Sequence, residues 1–267
     1  MRDSRLQEIY EQVQEAELVL VGLGEDFQYD WRALTNDVRY REIEKEIGDN
    51  EDRVWIIPFL QKMVLMQRNA ERWELAYKNL HKIIAGKNYF IVSLCMDDLI
   101  YKEEFAENRV VTPCGGFRKM QCDCNCSHIL SDVPVQHYDA VLRYYRKEIS
   151  IEELQEPCCE TCGNKLRFNQ LGVKRYAEEG YIDQWREYTK WLQGTVNKKL
   201  CVLELGVGME YPTILRFPLE KIAFYNQKAF LYRVHPVLYQ LGGEIGGKGV
   251  GIQADPVEFL CGLGEEY

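Results

Sequence analysis

Apolar positions recur at two spacings along this chain, and the first of them predicts helices. Leu6, Ile9, Tyr10 and Val13 repeat at helical spacing, which predicts an amphipathic helix over residues 2–16. Residues 38–84 keep the same spacing over a longer stretch and predict several consecutive helices. A polar helix at 135–147 and a helix at 185–196 follow the same pattern.

The second spacing is a short continuous apolar run, which is typical of a buried strand. Such runs occur at 18–21, 89–92, 200–205, 222–225 and 230–234. Helices placed between apolar strands favour a parallel sheet, so the predicted fold class is α/β, with a Rossmann-like parallel sheet covered by helices on both faces.

Two features near the end of the chain complete this prediction. Residues 242–251 are rich in glycine and predict a mobile loop. A short helix is expected at 255–263, because Asp255 suits the N-cap and Pro256 suits the first turn.

Composition excludes several classes of protein. The apolar share of 46% and the charged share of 28% fit a globular protein. The 42 acidic and 33 basic residues give a net charge of −9, which argues against a nucleic-acid partner. No apolar run approaches the ~18 residues of a membrane span, and the charged start predicts no export signal. The expected location is therefore cytoplasmic, with no membrane partner.

Seven of the ten cysteines lie within residues 114–162, and this clustering predicts a zinc site. Two cysteine pairs can supply the four soft ligands of a tetrahedral zinc ion. The preferred ligands are Cys122, Cys126, Cys159 and Cys162, and Cys124 and Cys158 are the alternatives. Four thiolates close the coordination sphere, so the zinc is expected to be structural. The competing interpretation is a set of free thiols in a reduced cell.

The cysteine-rich stretch also suggests how the chain is divided. Residues 1–115 are expected to form the first part of the Rossmann-like domain, with a helical insertion at about 38–86. Residues 116–169 would form the inserted zinc-binding module. The metal would hold this segment together, because a segment this small buries little core of its own. Residues 170–267 would return to the Rossmann-like domain.

The order of several short motifs resembles the sirtuin family of NAD-dependent protein deacylases over most of the chain. The motifs are Gly22-Leu23-Gly24, Asp30-Trp31-Arg32, Ser93-Leu94-Cys95-Met96-Asp97, Cys114-Gly115, the zinc cysteines and Gly206-Val207-Gly208. The resemblance implies a structural Zn²⁺ and NAD or ADP-ribose as ligand. The implied cofactor-binding positions are Gly22, Gly24, Arg32, Asp97, Gly206, Gly208 and His235.

This sequence departs from the family at the positions that carry catalysis. Cys114 stands where the family has its general-base histidine, and Cys95 stands where it has an asparagine. Glu25 and Asp26 put two carboxylates beside the expected pyrophosphate site, where negative charge is unfavourable. A cysteine is a poor reversible base, since its usual pKa is ~8.5.

Cys114, Cys95 and Asp97 are therefore the candidate catalytic residues, at positions where the family's catalytic residue types are only partly kept. The two cysteines are expected to be small buried residues; a redox pair, a second metal site or a thiol nucleophile are the alternatives. Arg32 and Asp97 are expected either to contact a ligand or only to start a helical region and cap a helix.

The sequence thus predicts a sirtuin-like, zinc-containing protein that binds NAD or ADP-ribose and has little or no lysine deacylase activity. One alternative is an NAD-consuming enzyme with altered chemistry, such as an NAD hydrolase or an ADP-ribosyltransferase that uses Arg32, Asp97 and a carboxylate such as Glu25. The other is a non-catalytic module whose cleft binds a protein or peptide partner.

Overall fold

A parallel sheet forms the centre of the fold. The computed structural model describes residues 4–48, 50, 52–67, 70–124, 126 and 128–263. The strands in these residues are β1 (Leu18–Leu23), β2 (Asn88–Ser93), β3 (Val110–Val111), β4 (Gly115–Cys122), β5 (Ser131–Asp132), β6 (Leu166–Gln170), β7 (Leu200–Leu205), β8 (Ala229–Val234) and β9 (Gly249–Ile252). Among the described residues, six of these strands pair in parallel in the order β3-β2-β1-β7-β8-β9.

Helices connect these strands, as parallel pairing requires. The α-helices of the described residues are α1 (Ser4–Glu15), α2 (Val38–Ile47), α3 (Ile56–Gln67), α4 (Glu71–Ile84), α5 (Val135–Tyr145), α6 (Ile182–Gln193), α7 (Arg216–Tyr225) and α8 (Pro256–Cys261). The α8 helix begins as the sequence predicts, because the Asp255 carboxylate accepts hydrogen bonds from the backbone N–H groups of Val257 and Glu258.

Both faces of the sheet are buried, which explains why its strands are apolar runs rather than alternating ones. Along β1, Val19 and Val21 face a core shared with α1 to α5 and α8, whereas Leu18 and Leu20 face a core shared with α6 and α7. Helices therefore cover both faces, and the predicted fold class is confirmed.

A second, smaller sheet leaves the first one after β3. It is antiparallel and has the order β5-β4-β6, with the cysteine-rich turns at one end. Gly115 lies at the junction with φ of +73°, and a Cβ there would be 1.9 Å from the carbonyl oxygen of Asn169. Only glycine combines this backbone conformation with so close an approach.

Two predicted elements are wrong. Residues 222–225 were expected to form a strand but are the last turn of α7, because Leu219 and Ala223 are buried at helical spacing while Phe224 and Tyr225 face solvent. Residues 242–251 are not one loop, since 249–252 form β9 at the edge of the sheet. Glycine is needed in this strand, because a Cβ on Gly251 would lie 2.1 Å from the carbonyl oxygen of Tyr239.

Candidate ligand crevice and cysteine cluster

The strand order reverses between β1 and β7. In doubly wound sheets, ligands bind outside the carboxyl ends of the strands at such a reversal, and we call this region the crevice. Gly24 follows β1, Gly206 follows β7 and His235 follows β8. Cys95 and Cys114 follow β2 and β3 on the same edge. The fold therefore brings these predicted site residues, which are far apart in the sequence, to one edge of the sheet.

The floor of the crevice is a direct contact between two glycine turns. The backbone N–H of Gly24 donates to the carbonyl oxygen of Leu205 at 2.9 Å, and that of Asp26 donates to Gly206 at 3.0 Å. A Cβ on Gly24 would lie 2.2 Å from the Gly206 carbonyl oxygen. The turn after β1 is also held by α4, because Trp73 Nε1 donates a hydrogen bond to the carbonyl oxygen of Phe27 at 2.9 Å.

Glu25 turns its carboxylate into the crevice. Its Oε1 accepts the backbone N–H of Glu210 at 2.8 Å. A Cβ on Gly208 would lie 2.6 Å from this oxygen, so the glycine makes room for it. The other oxygen, Oε2, is buried and has no hydrogen-bond partner among the described residues. A buried carboxylate oxygen without a donor is unfavourable, and a phosphate placed beside it would meet electrostatic repulsion.

His235 connects the turn after β8 to the turn after β1. Its Nδ1 accepts the backbone N–H groups of Val237 at 3.1 Å and Leu238 at 3.0 Å, which leaves the proton on Nε2. Nε2 lies 2.8 Å from Asp26 Oδ2. Burial lowers the pKa of His235 despite the opposing effect of Asp26, so the ring is neutral near pH 7. With Nδ1 already accepting two hydrogen bonds, this ring is not available as a general base.

Cys114 and Cys95 are buried free thiols. Burial, reinforced by the carboxylates of Glu210 and Glu25, raises the pKa of Cys114 to about 12. Burial also raises the pKa of Cys95 well above its usual value, and its Sγ lies 3.5 Å from the carbonyl oxygen of Gly24. Both groups therefore remain protonated near pH 7 and cannot act as bases or nucleophiles in this conformation.

Asp97 and Arg32 occupy different environments. The Asp97 carboxylate is buried and accepts the backbone N–H groups of Tyr29 at 2.8 Å and Leu99 at 3.0 Å. Burial raises its pKa to about 6. The Arg32 side chain is 90% exposed and pairs with Asp30 at 2.8 Å, so it does not join the crevice. The Asp30 carboxylate also accepts the Arg32 backbone N–H at the start of a 3₁₀ turn, where it acts as an N-cap.

The turns of the second sheet bring five cysteines together. The Sγ atoms of Cys122, Cys124, Cys126 and Cys162 all lie within 4.8 Å of one another. Cys159 Sγ lies 3.6 Å from Cys126 Sγ. Sulfur atoms around a tetrahedral zinc ion are about 3.8 Å apart, since each Zn–S bond is ~2.3 Å. The donor type and these separations fit Zn²⁺. Cys158 stays apart, because its thiol donates to the carbonyl oxygen of Glu156.

A buried ionic cluster beneath the crevice was not predicted. Arg233 on β8 is fully buried and hydrogen-bonds Glu204, which lies directly opposite it on β7. It also donates to Glu220 on α7 at 2.7 Å and to the carbonyl oxygen of Gln240 at 2.9 Å. Arg216 donates to the carbonyl oxygen of Val207 at 2.9 Å. The sequence signal for this cluster is one acid and one base at matching positions of two otherwise apolar strands.

Comparisons with known proteins give sequence relatives at low identity. The chain is 24% identical over 146 residues to a probable bifunctional ADP-ribose hydrolase/ADP-ribosyltransferase of Fusarium oxysporum f. sp. cubense, which covers 51% of this chain and 24% of the relative. It is 22% identical over 179 residues to a protein ADP-ribosyltransferase of Staphylococcus aureus, which covers 64% of this chain and 54% of the relative. The matches thus span a quarter to about half of these curated relatives. No family profile matches the chain.

Solved structures show the fold. A structure described as the basis of sirtuin substrate affinity matches with a TM-score of 0.53 at 15% identity, covering 95% of this chain and 96% of that one. A mutant Sir2 homologue in complex with 2'-O-acetyl ADP ribose matches with a TM-score of 0.56 at 12% identity, covering 98% and 94%. A mutant Sir2 with a p53 peptide and NAD gives 0.52 at 14%. The chain has the sirtuin fold. In its described residues, no helix is both long and apolar enough to cross a membrane.

Proposed function

We propose that this protein binds NAD or ADP-ribose in the crevice between β1 and β7, carries a structural zinc in the cysteine cluster, and does not deacylate lysine. The proposal is supported by three features together: the glycine turns that meet at the strand-order reversal, a buried Glu25 oxygen with no partner among the described residues, and the buried thiol of Cys114, which the resemblance aligns with the family's general base.

Recognition of the ligand is assigned to the crevice residues. An ionised carboxylate only accepts hydrogen bonds, so it can bind the hydroxyl groups of a ribose. We assign this role to Glu25, because its Oε2 has no partner among the described residues. Gly24, Gly206 and Gly208 support it indirectly, since they let the turns after β1 and β7 pack directly against each other. A ribose donor would relieve the cost of this buried acceptor, which is ~1–3 kcal/mol.

Lysine deacylation in the family needs a base beside the nicotinamide ribose, and three candidates fail here. Cys114 is protonated, with a pKa of about 12. His235 already accepts two backbone hydrogen bonds at Nδ1. The Asp97 oxygens accept two more. Loss of a general base typically costs ~10²–10⁴ in rate.

The test combines calorimetry and product analysis on the full chain. We expect heat of binding with NAD and with ADP-ribose, and no removal of acetyl groups from an acetyl-lysine peptide. Glu25→Gln should weaken binding by about 10–150-fold, since one hydrogen bond to a charged group is worth ~1.5–3 kcal/mol. Glu187→Gln, at an exposed site on α6, is the matched control and should bind normally.

A second function is favoured by the names of the two sequence relatives, both of which are described as ADP-ribosyltransferases. Release of nicotinamide from NAD, with transfer of ADP-ribose to water or protein, would support this alternative. Binding without release supports the primary proposal. Absence of any binding would contradict both and would leave the crevice as a groove for a protein or peptide partner.

A further inference from the structure

The cysteine cluster contains one thiol more than a tetrahedral zinc ion can bind. Cys122 Sγ lies 3.4 Å from both Cys124 Sγ and Cys162 Sγ, and Cys124 Sγ lies 3.6 Å from Cys162 Sγ. Cys126 Sγ lies within 4.8 Å of these three and 3.6 Å from Cys159 Sγ. A tetrahedral zinc ion has four positions, so a fifth thiol, Cys159, lies beside a group of four that is already sufficient.

Three of these thiols are common to two ligand sets of four, since Cys122, Cys124, Cys126 and Cys162 are mutually close and Cys159 contacts Cys126. Cys122 at the end of β4 and Cys162 in the facing turn contact each other. Cys126 is the cysteine that contacts Cys159 and also lies within reach of the other three. The fourth position can then be filled by Cys124, which contacts Cys122 and Cys162, or by Cys159, which contacts Cys126.

Both candidates for the fourth position are held in place by their surroundings. The turn that carries Cys159 is closed by two backbone hydrogen bonds, from Cys159 N–H to the Asn164 carbonyl at 2.7 Å and from Gly163 N–H to the Cys159 carbonyl at 2.8 Å. Asn164 Nδ2 also lies 3.5 Å from Cys124 Sγ and 3.3 Å from Cys162 Sγ. Neither thiol has to be drawn in from a distant part of the chain.

We propose that zinc is bound by Cys122, Cys126 and Cys162 together with either Cys124 or Cys159, and that these two cysteines exchange as the fourth ligand. The cysteine that leaves the metal keeps its thiol beside the coordination sphere. The site thus tolerates loss of one ligand and can exchange its metal stepwise, because the vacated position is filled from within the cluster. This inference is independent of what the crevice binds.

The test measures zinc content and affinity in serine variants of the full chain. Cys124→Ser and Cys159→Ser should each keep one zinc per chain, with affinity within about 10-fold of the unmodified protein in competition with a chromophoric chelator. The double variant should lose more than ~10²-fold, because only three of the five clustered thiols remain. Cys158→Ser, next to the cluster but outside it, is the matched control and should leave affinity unchanged.

A labelling experiment on the zinc-loaded protein without mutations avoids the risk that a variant fails to fold. Brief alkylation followed by mass spectrometry should label Cys124 and Cys159 each in part, with the two fractions adding up to about one thiol per chain. Full labelling of one and full protection of the other would overturn the proposal. So would loss of zinc in either single variant to the level of the double variant, or retention of zinc by the double variant.

Discussion

Cys114 lies where the chain passes from the parallel sheet to the second sheet. Its thiol is fully buried in the segment between β3 and β4, and its carbonyl oxygen accepts the backbone N–H of Leu171 at 2.8 Å, which extends the pairing of β4 with β6. The residue thus serves the junction between the sheets. A histidine at this place would need room that the packing does not leave, so Cys114→His is not expected to create a deacylase.

The state of the buried thiols can be measured directly. Iodoacetamide at pH 7.5 should modify the exposed Cys158 of the native protein and leave Cys114 and Cys95 unmodified, because both thiols are buried and have raised pKa values. Peptide mass spectrometry gives the label at each site. All three should react in denaturant, which is the control, and labelling of native Cys114 at the rate of Cys158 would contradict the expectation.

Asp98 is a second residue with an unusual environment. Its backbone is left-handed, with φ of +60°, and its carboxylate accepts the Phe117 backbone N–H. Burial raises the pKa of Asp98 to about 7, while Lys62 and the Phe117 N–H oppose this shift. Because the pKa of Asp98 is higher in the folded state than its ordinary value of 3.8, the contribution of this group to the free energy of unfolding is greatest below pH ~4 and decreases as the pH rises to about 7.

Asp98→Asn should remove this loss. The amide keeps an acceptor for Phe117 and tolerates the left-handed backbone, but it does not ionise. We expect the variant to gain about 2–3 kcal/mol of stability relative to the unmodified protein as the pH is raised from 5 to 8. Urea unfolding of both proteins at the two pH values measures this difference. Contributions from the other titrating groups are the same in both proteins and therefore cancel. If the free energy of unfolding changes equally in both proteins between the two pH values, ionisation of Asp98 does not destabilise the fold.

At the scale of elements, the contact between the turns after β1 and β7 is the least tolerant part of the crevice. Gly24→Ala would place a methyl group 2.2 Å from the Gly206 carbonyl oxygen and 2.3 Å from Val207 Cα, both backbone atoms that cannot rotate away. We expect a loss of about 2–4 kcal/mol, measured by urea unfolding.

The matched control for this substitution is Gly242→Ala. Gly242 has φ of −63°, and a methyl group added there would meet no atom within 4 Å, so alanine should be neutral or slightly stabilising. If Gly24→Ala is tolerated as well as Gly242→Ala, the two turns do not pack as described.

The α7 helix ends in a sequence pattern that does not distinguish a helix from a strand. Its last residues, 222–225, are all apolar, and a run of four apolar residues suits a strand as well as a helix turn. Contacts with distant residues decide between them: Leu219 packs against Gly22 of β1, and Lys248 Nζ donates to the carbonyl oxygens of Ala223 at 2.7 Å and Phe224 at 2.6 Å. These contacts satisfy the C-terminal end of a helix.

At the scale of the molecule, the two sheets depend on different forces. The parallel sheet is buried between two apolar cores, whereas the cysteine turns of the second sheet lie at its exposed end. Phe117 and Phe168 of the second sheet still pack at 5.2 Å between ring centroids, so its base is attached to the main core. The metal is therefore expected to stabilise the turns more than the whole fold.

Removal of zinc by a chelator should loosen residues 123–165 and leave the parallel sheet folded. Hydrogen exchange should rise by about tenfold or more in these turns and change little in β1 and β7, which are at the centre of the sheet. Addition of zinc should restore protection, which serves as the control. Cooperative unfolding of both sheets on chelation would mean that the metal supports the entire protein.

The sequence by itself determined the local features of this protein. Continuous apolar runs specified β1, β2, β7 and β8, because a strand buried on both faces needs no polar positions. Helical spacing specified the helices between them, and the clustering of cysteines specified a site suited to zinc. The order of the glycine and cysteine motifs indicated the sirtuin fold that the structural comparisons show. These features depend on neighbours in the chain, so they are visible in a pattern.

Tertiary structure decided which distant side chains meet. It turned Arg32 into solvent, engaged Asp97 with two backbone N–H groups, and placed Glu25 against the turn after β7. It also paired Glu204 with Arg233. The spacing of cysteines gave a choice of ligands, but only the folded turns bring five sulfur atoms together. Such contacts depend on how separate elements pack, and packing sums many weak interactions that no local pattern records.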